Sequence, residues 1–244
     1  MFRFFRISQA CLVFSYILTA PWSGFARDST MIAQPQGLGI TIRIYNYAEV
    51  PMQTLQRAQK QAAAVLDRAG VTTRWLNCLP AVGVEKDPAC REPKDPTDLV
   101  LRTLSRSMAQ KLEIPASDLR FGYALQAGKG GFGSIAGVFP YRLEELAKET
   151  ARDLDISAAF RAVLLGHLMA HEIGHLLLGS GSHSFRGIMR ARWEKQDLEA
   201  AAQGSLGFTA RQGEQMREQI RDRVRALERA LSPGLRGPST PKTA

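Results

Sequence analysis

Over residues 37–48, "GLGITIRIYNYA", apolar and β-branched residues alternate with polar ones, the period of a half-buried strand. Val50-Pro51 then opens a helix in which Leu55, Ala58, Ala62 and Leu66 recur at helical spacing, with Gly70 as its stop. "VTTRWLNC" (71–78) and "TDLVLRTL" (97–104) read as second and third strands. A short turn is expected around Ser107 to Leu112. Two more extended segments follow at 120–126 and 134–142, joined by the hairpin-like "AGKGGFG". "LEELAKET" is a turn of helix or the start of the next one. From about Ile156 to Leu178 the apolar residues return to helical spacing, and a C-terminal helix fits 209–230, where Met216, Ile220, Val224, Leu227 and Leu231 mark one face. This order of strands and helices, without an internal repeat, predicts one α/β domain. The Pro/Ser/Gly-rich tail "SPGLRGPSTPKTA" (232–244) is expected to be disordered.

The first 26 residues change the picture of where the chain works. "MFRFFR" carries two arginines and no acid, "CLVFSYILTA" is apolar, and Gly24 and Ala26 flank a cut before Arg27. That is the layout of a secretory signal, and the apolar run is shorter than the roughly 20 residues a spanning helix needs. The chain is therefore expected to be secreted or periplasmic, without a stable membrane anchor once the signal is cut. Loss of Arg3 and Arg6 lowers the formal charge from +9 to +7. Much of that charge sits in "RQGEQMREQIRDRVRALERA", where Arg alternates with Glu, which reads as a solvated helix face. No Lys/Arg run is interleaved with aromatics, so no nucleic-acid partner is expected. Cys11 leaves with the signal, and Cys78 and Cys90 remain across a Pro-rich loop. In an oxidising compartment the simplest reading is a disulfide; the alternatives are two buried thiols, or one thiol capping a metal.

All four histidines fall between residues 167 and 183, in "HLMAHEIGHLLLGSGSH". Within it, "HEIGH" places His171 and His175 one turn apart on the same helix face, so both imidazoles can meet one ion, and Glu172 projects beside it. "HLMAH" competes as a pair, but it puts Leu168 where an acid is needed. His167 and His175 are roughly 12 Å apart along the axis at 1.5 Å per residue, so they cannot share an ion. His167 is read as a packing residue or one that supports the ligands. An inert helix is disfavoured because a buried, unpaired Glu172 would cost several kcal/mol, on the order given for buried charges.

"HEIGHLLLGSGSHSFRGIM" resembles the zinc site of the metzincin metallopeptidases, most closely the matrixin branch, whose motif is H-E-x-x-H-x-x-G-x-x-H followed by a methionine-bearing turn. The resemblance implies a zincin-like, metzincin-type catalytic domain over 27–231. Its twisted mixed sheet would lie beside an active-site helix and a C-terminal helix. It implies His171, His175 and His183 as ligands of Zn2+, Glu172 as the general base that activates zinc-bound water, Gly179 as the residue that turns the chain out of the helix, and Met189 as the Met-turn residue. The implied activity is that of a zinc endopeptidase acting on polypeptides. Two residues are inserted relative to the family motif, one before Gly179 and one after it. Ala191 stands where some branches carry a zinc-contacting tyrosine. Three imidazoles leave one open position on zinc, as catalytic sites require. The alternatives are a non-catalytic zinc-binding secreted protein, or a zincin with Glu194 or Glu199 as the third ligand. The strand around "GSIAGVFPY", preceded by glycines, is either the edge that receives an extended peptide, as the resemblance implies, or a flexible Gly-rich hairpin.

Overall fold

A computed structural model describes residues 39–79, 87–112, 121–128, 131–150, 157–179 and 181–232, with side chains omitted for 146–150. The proposed signal segment 1–26, Ile156, and the tail from residue 233 lie outside the described residues. Among the described residues five strands and six α-helices appear in the order β1 (Gly39–Asn46), α1 (Met52–Arg68), β2 (Thr72–Leu79), β3 (Asp98–Thr103), α2 (Arg106–Lys111), β4 (Gly122–Leu125), β5 (Ile135–Val138), α3 (Pro140–Thr150), α4 (Ala158–Leu178), α5 (Lys195–Ala202) and α6 (Ala210–Leu231). The sheet runs β2-β1-β3-β5-β4. Its first four strands are parallel, and β4 alone is antiparallel, pairing Gly122 with Val138 and Leu125 with Ile135.

Alternation sorts the strands' side chains. Ile40, Ile42, Ile44, Leu99, Leu101, Ala136 and Val138 enter the main core. There they meet the stripe expected on α1, whose Leu55, Ala58, Ala62 and Leu66 are all buried, and the apolar length of α4. On the opposite face Arg43 pairs with Asp98 at 2.6 Å, both buried, and its guanidinium also donates to the carbonyls of Cys90, Glu92 and Pro93. A buried pair of this kind is favourable only with its remaining donors satisfied, and here they hold the cysteine-bearing loop against the sheet. Cys78 and Cys90 are placed for a disulfide, their Cα atoms 5.5 Å apart.

Four elements differ from the sequence-based expectations or sharpen them. The extended segment expected over 134–142 stops at Val138, because Pro140 occupies the first position of α3, where its missing N–H costs nothing. "LEELAKET" thus belongs to a helix of its own. Helix α5 is a separate element, its start held by Asp197, which accepts from the Glu194 N–H at 2.8 Å. The C-terminal helix is not solvated along its whole charged length: Arg223 is fully buried, whereas Leu231 is exposed. Ser157 starts α4 by accepting from the Phe160 N–H, and Thr209 and Gln212 form a reciprocal cap on α6. No helix among the described residues is long and apolar enough to cross a membrane.

Candidate metal centre and cleft

Helix α4 is buried along most of its length, which fixes the direction of its histidines. His171 Nδ1 lies 2.7 Å from the Ile188 carbonyl, an atom that only accepts, so the proton sits on Nδ1 and Nε2 carries the lone pair. His175 Nδ1 lies 2.8 Å from Ser182 Oγ, and its Nε2 faces His171 Nε2 at 3.1 Å. The two Nε2 atoms thus face each other across a short gap, with the His171 lone pair directed into it, an arrangement that suits a shared cation. Two nitrogens bound at about 2.0–2.1 Å to one tetrahedral ion stand roughly 3.3 Å apart. His183 completes the group, with one ligand nitrogen from each of the three residues within 4.8 Å of the others.

Electrostatics favours the same use. Desolvation by burial pushes the His171 imidazole down to about 4 and His175 to about 3, with repulsion from neighbouring imidazoles adding to both. Both are therefore neutral at pH 7, the form that binds a metal. A neutral three-nitrogen set of this geometry suits Zn2+.

Gly179 ends α4 with its N–H donating to the His175 carbonyl at 3.0 Å. Its φ of 86° requires glycine, but with ψ at −177° the backbone is extended and does not form the left-handed helical cap expected for a chain reversal. Gly181 also has positive φ, at 73°, and these two residues absorb the longer loop and bring Ser182 and His183 to the histidine pair. Met189 is fully buried under the site; a Cβ on Gly174, inside "HEIGH", would stand 2.8 Å from its sulfur. The Met189 carbonyl accepts from the Ser184 N–H, and the Ile188 carbonyl accepts from Trp193 Nε1 as well as His171.

The other histidine and the two downstream acids sit elsewhere. His167 is buried, its Nδ1 2.9 Å from the Val163 carbonyl and its ring edge-on to Trp193. Glu194 is exposed and paired with Arg190 at 3.1 Å. Glu199 is exposed on α5, and among the described residues neither acid belongs to the nitrogen group.

Glu172 lines a cleft of about 280 Å³ together with the three histidines, β4 and the segment after Met189. It is buried, and burial raises its carboxyl to about 8. A Cβ on Gly122 would come within 2.6 Å of Glu172 Oε1 and 2.5 Å of the Gly137 carbonyl, so the start of β4 lies directly against the carboxyl. Ala191 borders the cleft without a donor group, whereas Arg190 and Trp193 also line it. Gln126, just after β4, donates to the His175 carbonyl at 2.7 Å. Sequence reasoning did not single out Gly122, Gln126, Ser182 or Trp193; only the glycine in "RFGYALQ" carried a signal, as a strand position without a side chain.

No protein-family model and no curated protein matches this chain. Solved structures similar to it include an archaemetzincin from Methanopyrus kandleri, at 17% identity and a TM-score of 0.44, covering 77% of this chain and 98% of that one. A zinc-dependent peptidase from Methanocorpusculum labreanum is similar at 18% identity and a TM-score of 0.46, covering 72% of this chain and 99% of that one. At this identity and overlap neither likeness bears on the chemistry of the site, which rests on the residues of the chain itself.

Proposed function

We propose that the chain is an exported, matrixin-like zinc endopeptidase in which His171, His175 and His183 hold the ion and Glu172 is the general base. The observation that carries this reading is the convergence of three imidazole nitrogens within 4.8 Å in the cleft that also contains Glu172. When bound, the ion lowers the pKa of water toward ~7 and polarises a peptide carbonyl. Glu172 takes a proton from water and returns it to the leaving amine. In the metal-free chain burial keeps this carboxyl protonated at neutral pH, and a cation held by the neutral imidazoles would favour its ionised form.

The strand around "GSIAGVFPY" is not the edge: β5 lies between β3 and β4, and it is β4 that ends the sheet, with residues 121–124 lining the cleft. A peptide added along that edge gains main-chain hydrogen bonds and passes beside Glu172. The presence of an acid in the cleft distinguishes this reading from simple zinc binding, for which three imidazoles suffice.

The test is metal analysis of the purified mature chain combined with digestion of casein and a peptide library, with and without a chelator. One equivalent of zinc and chelator-sensitive internal cleavage are expected. Stoichiometric zinc with no cleavage of any peptide would replace the enzyme by a zinc-binding protein, and absence of tight zinc would overturn the site.

A further inference from the structure

Among the described residues Arg223 is the largest fully buried side chain, yet it lies on a highly charged helix. Among the described residues no carboxylate pairs with it. Instead its guanidinium donates to three backbone carbonyls from three distant segments: Pro96 at 2.9 Å, Gly133 at 2.7 Å and Leu176 at 3.1 Å. The group also lies 4.9 Å from the centre of the Phe132 ring. Burial lowers its pKa to about 10, so it remains charged at neutral pH.

These three acceptors are not scattered with respect to the cleft. Leu176 follows His175, and because α4 ends at Leu178 its carbonyl is among the last four that lack an intrahelical partner. A positive charge there complements the C-terminal end of the helix dipole. Gly133 precedes β5, and a Cβ on it would stand 2.9 Å from the Leu125 carbonyl, at the end of β4, and 3.3 Å from Leu176 Cδ2. Arg223 Nη2 therefore bridges the last turn of α4 and the turn between β4 and β5. Gln126 makes a second bridge between the same two walls, through the His175 carbonyl.

We infer that Arg223 is a positioning residue for the metal centre, fixing the last turn of α4, and with it His175, relative to the end of β4. The inference rests on the zinc-peptidase reading of the cleft. A planar fork reaches Pro96 in one direction and Gly133 with Leu176 in the other, a geometry that a lysine ammonium does not reproduce. Groups that orient metal ligands from behind typically change metal affinity roughly 10- to 100-fold when removed.

The experiment measures zinc affinity by chelator competition for wild type, Arg223→Lys, Arg223→Met and Ile220→Ala, each at a temperature where circular dichroism shows it folded. Ile220 is fully buried on the same helix and serves as a destabilised control that leaves the three carbonyls paired. The Co2+-loaded forms report ligand geometry through their visible absorption. Both Arg223 variants are expected to bind zinc roughly 10- to 100-fold more weakly and to shift the cobalt spectrum, with Ile220→Ala matching wild type. Wild-type affinity in Arg223→Lys, the variant that retains the charge, overturns the inference; so does an equal loss in Ile220→Ala. A wild-type chain without tight zinc overturns the metal site itself, a distinct result.

Discussion

Position 122 has no room for a methyl group, because Glu172 Oε1 and the Gly137 carbonyl already occupy the space a Cβ would need. Gly122→Ala must push the carboxyl or the strand aside, and neither movement touches a nitrogen ligand. The expected outcome is a full zinc content with peptide hydrolysis reduced by roughly 10²-fold, the loss typical of a misplaced reacting group. Unchanged turnover in this variant would place the reacting groups away from Glu172. The two histidines outside the "HEIGH" pair separate in the same way. His183→Ala removes one of three nitrogens and is expected to release most of the zinc. His167→Ala empties a buried site beside Trp193 and is expected to keep the zinc while lowering stability by about 2 kcal/mol. Metal content by mass spectrometry and thermal unfolding distinguish them, and a full equivalent of tight zinc in His183→Ala would put the third ligand elsewhere.

At the scale of elements, the helix α4 and the strands were legible because burial on one face imposes a period on the sequence. The stripe of α1 was read residue by residue, and all four of its positions are buried. Where a residue's partner is remote in sequence, that period is silent. Arg223 lies three residues after Ile220, squarely on the apolar stripe of α6, and composition alone made it look like one more solvated arginine. Its acceptors, near residues 96, 133 and 176, are visible only in three dimensions. Gly122 was hidden for the same reason, since the carboxyl that needs its space is far along the chain. The loop after α4 was half legible: glycines announced a turn, but the extended ψ of Gly179 and the Ser182 contact to His175 depend on the two additional residues. The cysteine pair belongs to this scale too, joining β2 to the segment held by Arg43. Thiol labelling of the native chain produced in an oxidising compartment should find no free thiol, and replacing both cysteines by serine should lower stability by roughly 2–4 kcal/mol. Two reactive thiols in the chain so produced would contradict the oxidised pairing.

For the whole molecule, the cleft groups write a pH signature into the metal-free fold. His171 and His175 titrate below their ordinary value of 6.5, so the folded chain binds fewer protons than the unfolded one below that pH, and they make stability rise as pH increases toward 6.5. Glu172 is raised from 4.5 to about 8, so the folded chain binds more protons across that interval, and its contribution falls as pH increases. Above 6.5 only the Glu172 contribution operates among these three. Chemical denaturation of metal-free protein should therefore show stability falling between pH 6.5 and 8, and Glu172→Gln should flatten that slope. Equal slopes in the two proteins would show that the carboxyl is not the buried acid described above.

The most direct measurement of the central claim compares wild type and Glu172→Gln, both loaded to one equivalent of zinc, in hydrolysis of the same internally cleaved peptide. In the proposed mechanism the substitution leaves the three imidazoles in place and removes the group that would accept and return the proton, so zinc content should be equal and the rate should fall at least 10²-fold, in keeping with the usual contribution of general acid–base catalysis. Hydrolysis at the wild-type rate by the zinc-loaded Glu172→Gln protein would contradict the account.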